Sequence, residues 1–348
     1  MADDLDDLGF ERSYYPALLQ LGLTYRCNLT CPHCYAVPHR TRQEFALSEI
    51  KDLIQEAAAL GTKKIVYSHG ENLIRKDFHE AARYISDTGI FQTLMANGFY
   101  LQDWEQVVAL ADTGVRKVMI SIDSSNEAEH NRNRGHHRAF SWALQAIRML
   151  KRQSRLEVGI SMAIDARNYH TIEEVAELGA RLGVDHISFM QVRPNEPNTF
   201  SNYNWQGYRE ICARLYELIV AYRGKVNIYT HDPFMNTIVD ERVPDGHMRE
   251  DYFAHNDCNV GKYMISICPN GDVTACNFID RVVGNLHERS LAAIWDQIVE
   301  DYDDVGKRAG ACGSCSKYAA CVTGCKAFHI PHGTWIDARC SQRAFPLQ

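Results

Sequence analysis

Cys27-Asn28-Leu29-Thr30-Cys31-Pro32-His33-Cys34-Tyr35 sets three thiols at C-x3-C-x2-C spacing, where the strand-like run Leu19 to Tyr25 turns into a loop. Three thiolates hold three corners of a four-iron cube and leave the fourth iron without a protein ligand. A structural zinc or structural cluster closes its coordination with a fourth side chain, whereas a site one ligand short can bind and activate a small molecule. The stretch therefore reads as catalytic, with a zinc knuckle as the plainer alternative.

From this loop to about residue 200, short β-rich runs alternate with longer helical patterns. The predicted strands are Leu19 to Tyr25, Lys64 to Ser68, Gln92 to Met95, Lys117 to Ile122, Leu156 to Ile164 and His186 to Gln191. The predicted helices are Leu47 to Leu60, Asp77 to Thr88, Leu101 to Thr113, Ala139 to Gln153 and Thr171 to Leu182. Strands joined by helical crossovers imply a parallel sheet buried on both faces, here an α/β fold curled into a partial (β/α)6 TIM-like barrel. Ser48-Glu49 fits a helix start, and Gly61, Gly89, Gly114 and Gly183 each follow a helical run as a cap would. In such sheets chemistry gathers at the carboxyl ends of the strands, and the cysteine loop follows the first strand.

Past the Pro/Asn turn at Pro194 to Pro197, a helix from Trp205 to Tyr222 reads as a bridge. Cys212 shares its apolar spacing with Tyr208, Leu215 and Leu218 and reads as a core thiol. The last 91 residues hold Cys258, Cys268, Cys276, Cys312, Cys315, Cys321, Cys325 and Cys340. Eight thiols suit two four-thiolate clusters, and equally two zinc sites. Pro269-Asn270-Gly271-Asp272 between two β-like runs predicts a hairpin, with Gly271 at the tight turn, that draws Cys268 towards Cys276.

The first motif, with its following aromatic Tyr35, resembles the signature of the radical S-adenosylmethionine (radical SAM) superfamily. The second cysteine field resembles that superfamily's SPASM extension. The two resemblances together run from about residue 17 to 340. They imply S-adenosylmethionine and three [4Fe–4S] clusters as cofactors, with Cys27, Cys31 and Cys34 holding the first cluster. Cys258, Cys276 and Cys325 would hold the first auxiliary cluster, with Cys268 as its fourth ligand or else a resting thiol or hydrogen-atom donor. Cys312, Cys315, Cys321 and Cys340 would hold the second. The implied domains are a radical SAM core over 1–200, a helical bridge over 201–257 and a SPASM domain of β-hairpin and short helices over 258–348.

The resemblance also implies cofactor contacts at strand ends. Tyr67-Ser68-His69-Gly70-Glu71-Asn72-Leu73 stands where the superfamily has Gly-Gly-Glu-Pro. Glu71 can accept hydrogen bonds from the methionine ammonium and Gly70 lets backbone approach closely, while His69 and Asn72 replace a Gly and a Pro. Asn97 and Ser121 match family positions. Asp123 suits ribose hydroxyls, a helix cap being the alternative. Arg134, just before Gly135, suits the methionine carboxylate, an exposed basic loop being the alternative. Ser161 and Gln191 are further candidates, with lining of the barrel interior as the alternative.

Among 348 residues, 45% are hydrophobic, enough for a large core, and a formal charge of −7 gives no general attraction to nucleic acid or anionic membrane. No run has bilayer-spanning length, the start is acidic, and twelve cysteines in a reducing compartment mean metal more readily than disulfides, so a cytoplasmic enzyme is expected. The resemblance implies reductive cleavage to a 5′-deoxyadenosyl radical that takes a hydrogen from substrate, fed by a flavodoxin- or ferredoxin-type donor. Because 26 residues precede Cys27, too few for a peptide-binding module, the expected substrate is a small polar metabolite. An aminosugar, nucleoside or related natural-product intermediate would be dehydrogenated, epimerised or decarboxylated. A maturase of a ribosomally made peptide is the alternative, and a zinc or iron–sulfur carrier the non-enzymatic one. Asn277 stands where sulfatase-maturing relatives carry a basic Asp, which disfavours that activity.

Overall fold

Six strands stand where the β-rich runs predict: β1 (Leu18–Leu21), β2 (Lys64–Tyr67), β3 (Phe91–Ala96), β4 (Lys117–Ser121), β5 (Glu157–Ile164) and β6 (His186–Gln191). Each is parallel to the next in chain order. The connections carry helices α1 (Leu47–Ala59), α2 (Phe78–Asp87), α3 (Trp104–Ala111), α4 (Glu127–Arg134), α5 (Ala139–Leu150) and α6 (Ile172–Leu182). This sequential order is that of a partial (β/α)6 barrel. The computed structural model describes residues 15–36, 43–193, 205–242 and 258–302, together with 312, 315, 316, 321, 324–328 and 340. The turn expected at 194–197 lies outside the described residues.

Strand side chains alternate between two environments. Leu19, Leu21, Ile65, Tyr67, Leu94, Ile120, Ile160, Ile187 and Phe189 are fully buried under the helices, each burial contributing roughly 1.5–3 kcal/mol. Gln20, Val66, Met95, Ser121, Ala163 and Met190 keep partial exposure on the opposite face. A strand flanked on both sides retains exposure only where its face lines a cleft, so these residues mark the barrel lumen. On α1, Ile50, Leu53, Ile54 and Ala57 bury one stripe at helical spacing. Its amino end lies just before the Ser48 start read from sequence, where the Ala46 amide donates to Glu49 at 2.7 Å.

Beyond β6 come α7 (Trp205–Ala221), β7 (Asn227–Thr230) and α8 (Phe234–Arg242). The segment expected only to bridge supplies a seventh strand, parallel to β6. Cys212 is buried on α7 as its spacing suggests. The cysteine-rich region then adds β8 (Met264–Ile267), β9 (Asp272–Thr274), β10 (Val282–Asn285) and α9 (Leu291–Tyr302). Strand β8 pairs in parallel with β1, Leu21 opposite Ile267, so one ten-stranded sheet runs β10-β9-β8-β1-β2-β3-β4-β5-β6-β7.

The hairpin forms as predicted, with Gly271 at φ 86°. Ser266 faces Thr274 and Ile267 faces Val273, so Cys268 opens the turn and Cys276 follows the end of β9. Helix α9 carried a readable signal, since Leu291, Ile294, Trp295, Ile298 and Tyr302 repeat at helical spacing and are all buried.

Candidate active site

The site is built where β1 to β5 end. After β1 the chain runs alongside the β2 loop: the Gly70 amide donates to the Thr24 carbonyl and the Glu71 amide to the Arg26 carbonyl, both at 2.9 Å. A Cβ at Gly70 would lie 2.4 Å from the Arg26 oxygen and 2.6 Å from the Thr24 oxygen, so only glycine permits this approach. Asn72, in place of the family proline, is fully buried. Its Oδ1 accepts from the Leu23 amide and its Nδ2 donates to the Ser68 carbonyl, both at 3.0 Å. The substituted loop is thus pinned to β1 by bonds that proline cannot make.

Glu71 is buried, and its Oε2 accepts from the Asn97 amide at 2.8 Å while Oε1 has no partner. Burial pushes its carboxyl up to about 7. Asn97 also donates to Asn28 Oδ1 at 2.8 Å and lies 4.0 Å from Cys27 Sγ, tying the third strand end to the cysteine loop. Cys31 Sγ lies 3.7 Å from the Arg134 carbonyl. Gly135, at φ 69°, brings the end of α4 against Thr30, whose Oγ1 would meet a Cβ there at 2.4 Å.

Asp123 and Arg134 are brought to each other. Arg134 Nη2 donates to Asp123 Oδ1 at 2.6 Å, and that oxygen also accepts from the Ala163 amide at 3.0 Å. Asp123 Oδ2 and Arg134 Nε, both buried, have no hydrogen-bond partner, although His33 Nε2 stands 3.8 Å from Oδ2. Burial alone would raise the Asp123 carboxyl, but the Arg134 guanidinium and then His33 and His130 hold it below the usual range. The helix-cap reading of Asp123 is corrected, because Asn126 caps α4 by accepting from Glu129 N at 3.1 Å. Arg134 is the last residue of that helix, its side chain 12% exposed, rather than part of an exposed loop. Sequence reading missed α4 because the residues it buries, Glu129, His130 and Asn133, are polar. His33 and His130, held by burial at about 4 and about 3, complete the cluster.

Ser121 and Ser161 lie opposite each other on the lumen face. Gln191 does not join them. Strand parity turns it to the outer face, where its amide donates to Tyr208 on α7, correcting its reading as a cofactor contact.

Across the lumen, Tyr35 Oη accepts from the His69 amide at 2.8 Å, and the Tyr35 ring meets Phe278 edge-on at 5.2 Å. Asn277 N donates to Gln20 at 3.2 Å. Among the described residues His69 is the one non-glycine with positive φ, at 71°, which accounts for glycine in the family pattern and costs roughly 1–3 kcal/mol here. His69 Nε2 lies 3.4 Å from Cys268 Sγ and Nδ1 lies 2.9 Å from Ser68 Oγ. This contact across β1 has no sequence signature beyond the His itself.

Six of the C-terminal thiols fall into two sets of neighbours. Cys276, which burial pushes up to about 12, has Cys325 and Cys258 as neighbours, and Cys312 has Cys340 and Cys315. Burial likewise pushes Cys31 up to about 12, with Cys34 and Cys27 adding to the rise. Thiols so placed ionise against bound metal, as iron–sulfur ligands do. The donor set fits a thiolate-held cluster beside a cofactor carrying amino, carboxylate and hydroxyl groups. Glu71 Oε1, Asp123 Oδ2 and Arg134 Nε are among the buried polar atoms without a hydrogen-bond partner that could meet such groups.

Residues 21–179 match the family model of the radical SAM superfamily, and residues 258–319 match that of an iron–sulfur cluster-binding domain, SPASM. The chain belongs to the radical SAM superfamily and carries a C-terminal SPASM domain; it is an enzyme whose cofactors are S-adenosylmethionine and iron–sulfur clusters. It is 28% identical to the AdoMet-dependent heme synthase of Methanosarcina barkeri, covering 90% of this chain and 91% of that one. To the mycofactocin maturase MftC of Mycobacterium tuberculosis it is also 28% identical, over 94% of this chain and 83% of that one. The fold matches the crystal structure of Streptococcus suis SuiB bound to precursor peptide SuiA at TM-score 0.75 and 17% identity, covering 94% of this chain and 76% of that one. Among the described residues no helix is long and apolar enough to cross a membrane.

Proposed function

We propose that this enzyme is a radical SAM maturase acting on a peptide. The observation that carries the reading is its match to a maturase over most of both chains. Tetrapyrrole chemistry is the second reading, favoured by equal identity to a heme synthase. Bound S-adenosylmethionine supplies, on one-electron reduction, a primary carbon radical able to take hydrogen from an unactivated C–H bond.

The residues divide the remaining work. Cys27, Cys31 and Cys34 hold the first cluster. Glu71 accepts from the amino group of the cofactor, and Asn97 orients that carboxylate through its amide. Arg134 and Asp123 face the carboxylate and the ribose. Ser121 and Ser161 line the lumen in which substrate is held away from water. The region from Cys258 onward carries the auxiliary clusters, with Cys258, Cys276 and Cys325 in one group and Cys312, Cys315, Cys321 and Cys340 in the other.

Anaerobically reconstituted protein is expected to carry about twelve irons, and Cys31→Ala about eight, four being lost with one cube. Colourless, zinc-loaded protein would contradict this. Affinity for S-adenosylmethionine is expected to rise between pH 6 and pH 7.5 as Glu71, with its carboxyl at about 7, ionises; a carboxyl one unit above the ambient pH leaves binding about tenfold weaker. In Glu71→Gln the slope should flatten and the plateau fall, as titration calorimetry would show; an unchanged slope would assign it to another group. Substrate class is tested by the rate of 5′-deoxyadenosine formation with pooled synthetic peptides or with a tetrapyrrole. Stimulation by the tetrapyrrole alone would overturn the peptide reading.

A further inference from the structure

Parallel pairing aligns the carboxyl ends of β8, β1 and β2, so that Cys268 and His69 stand on either side of Gly22. A side chain at Gly22 would collide with the imidazole, its Cβ lying 2.5 Å from His69 Nδ1. The left-handed backbone of His69 lays the ring over this gap, and Nε2 reaches Cys268 Sγ at 3.4 Å. The ring belongs to the cofactor loop: Glu71 follows two residues later, and the His69 amide is held by Tyr35, next to Cys34. Cys268 opens the hairpin turn just past β8, and it keeps partial exposure in the lumen. Two residues earlier on the same strand face, Ser266 is fully buried with no partner for its hydroxyl, a polar group left for something that enters the cleft.

We propose that Cys268 is not a cluster ligand but the hydrogen-atom donor of the lumen, with His69 as the positioning residue that orients its thiol. With Nδ1 protonated, the ring donates to Ser68 and accepts the thiol hydrogen. In the step, the S–H bond breaks homolytically and a C–H bond forms at a carbon radical on the substrate. The sulfur radical left behind takes one electron from a low-potential iron–sulfur donor and one proton relayed through His69, restoring the thiol. The substrate is neither oxidised nor reduced, because the hydrogen returned replaces the one taken, as inversion of a stereocentre requires; the two electrons and the proton are consumed in converting S-adenosylmethionine to methionine and 5′-deoxyadenosine. The proposal rests on the radical chemistry above and not on the identity of the substrate.

The test uses the reconstituted holoenzyme in deuterium oxide with S-adenosylmethionine and reductant but no substrate. The Cys268 S–H exchanges to S–D, so abortive cleavage should give monodeuterated 5′-deoxyadenosine from the wild type and largely unlabelled product from Cys268→Ala. In parallel, iodoacetamide followed by peptide mass spectrometry should alkylate Cys268 with the clusters intact, more slowly in His69→Gln, and Cys268→Ala should keep the wild-type iron content and cluster spectra. Equal label in wild type and variant would overturn the donor role. Loss of about four irons in Cys268→Ala, or protection of Cys268 until the clusters are stripped, would make it a ligand and end the proposal. Absence of any 5′-deoxyadenosine from the wild type would defeat the radical reading itself, which the alkylation and iron results do not touch.

Discussion

Gly70→Ala should cost about 3 kcal/mol of stability and abolish measurable binding of S-adenosylmethionine. The added methyl would fall 2.4 Å from the Arg26 oxygen and 2.6 Å from the Thr24 oxygen. Neither can yield cheaply, because each carbonyl accepts an amide bond from the same loop, the Thr24 oxygen from Gly70 and the Arg26 oxygen from Glu71. Relief requires the β2 loop to lift from the segment leading into Cys27, which moves Glu71 and the cysteine loop apart. Thermal unfolding and calorimetric titration of the reconstituted protein check both parts; a variant with wild-type midpoint and affinity would show that the two segments slide freely.

Removing one partner of the Asp123–Arg134 pair should be as damaging. Asp123→Ala leaves a guanidinium confined beside Cys31, and an unpaired buried charge costs roughly 3–5 kcal/mol. In the double variant Asp123→Ala, Arg134→Met the unpaired charge is gone, so much of that loss should return, giving a large coupling in a double-mutant cycle. Additive losses would mean that the pair contributes little beyond its separate contacts. The iron content of the single variant is a second measure, since Cys31 Sγ rests on the Arg134 carbonyl.

How much of this was legible in the sequence depended on whether a residue acts through its own strand or across strands. The core strands carry hydrophobic runs, and their ends carry Cys27, Glu71, Asn97 and Asp123, so local pattern placed both the barrel and the rim of the site. Helix α4 escaped because its buried side is Glu129, His130 and Asn133, where Glu129 accepts from Ser124 and His130 from the Asp123 amide in place of apolar burial. Gln191 was misread by one step of strand parity, which turned it from the lumen to Tyr208. Strand β7 is four residues long and was hidden in a segment read as linking helix. The pairings Asp123–Arg134 and His69–Cys268 depend on which strands end side by side, information that a linear reading does not contain. The peptide preference came from relatives, and no residue in the chain announces it.

The parallel seam between β1 and β8 has a consequence for dissecting the enzyme. A fragment ending before Cys258 would expose a row of unpaired amides and carbonyls along β1, and such an open margin invites a strand from another copy. Expression of the barrel alone is therefore expected to yield aggregates, whereas a fragment that keeps the chain through β10 retains its own cover along that seam.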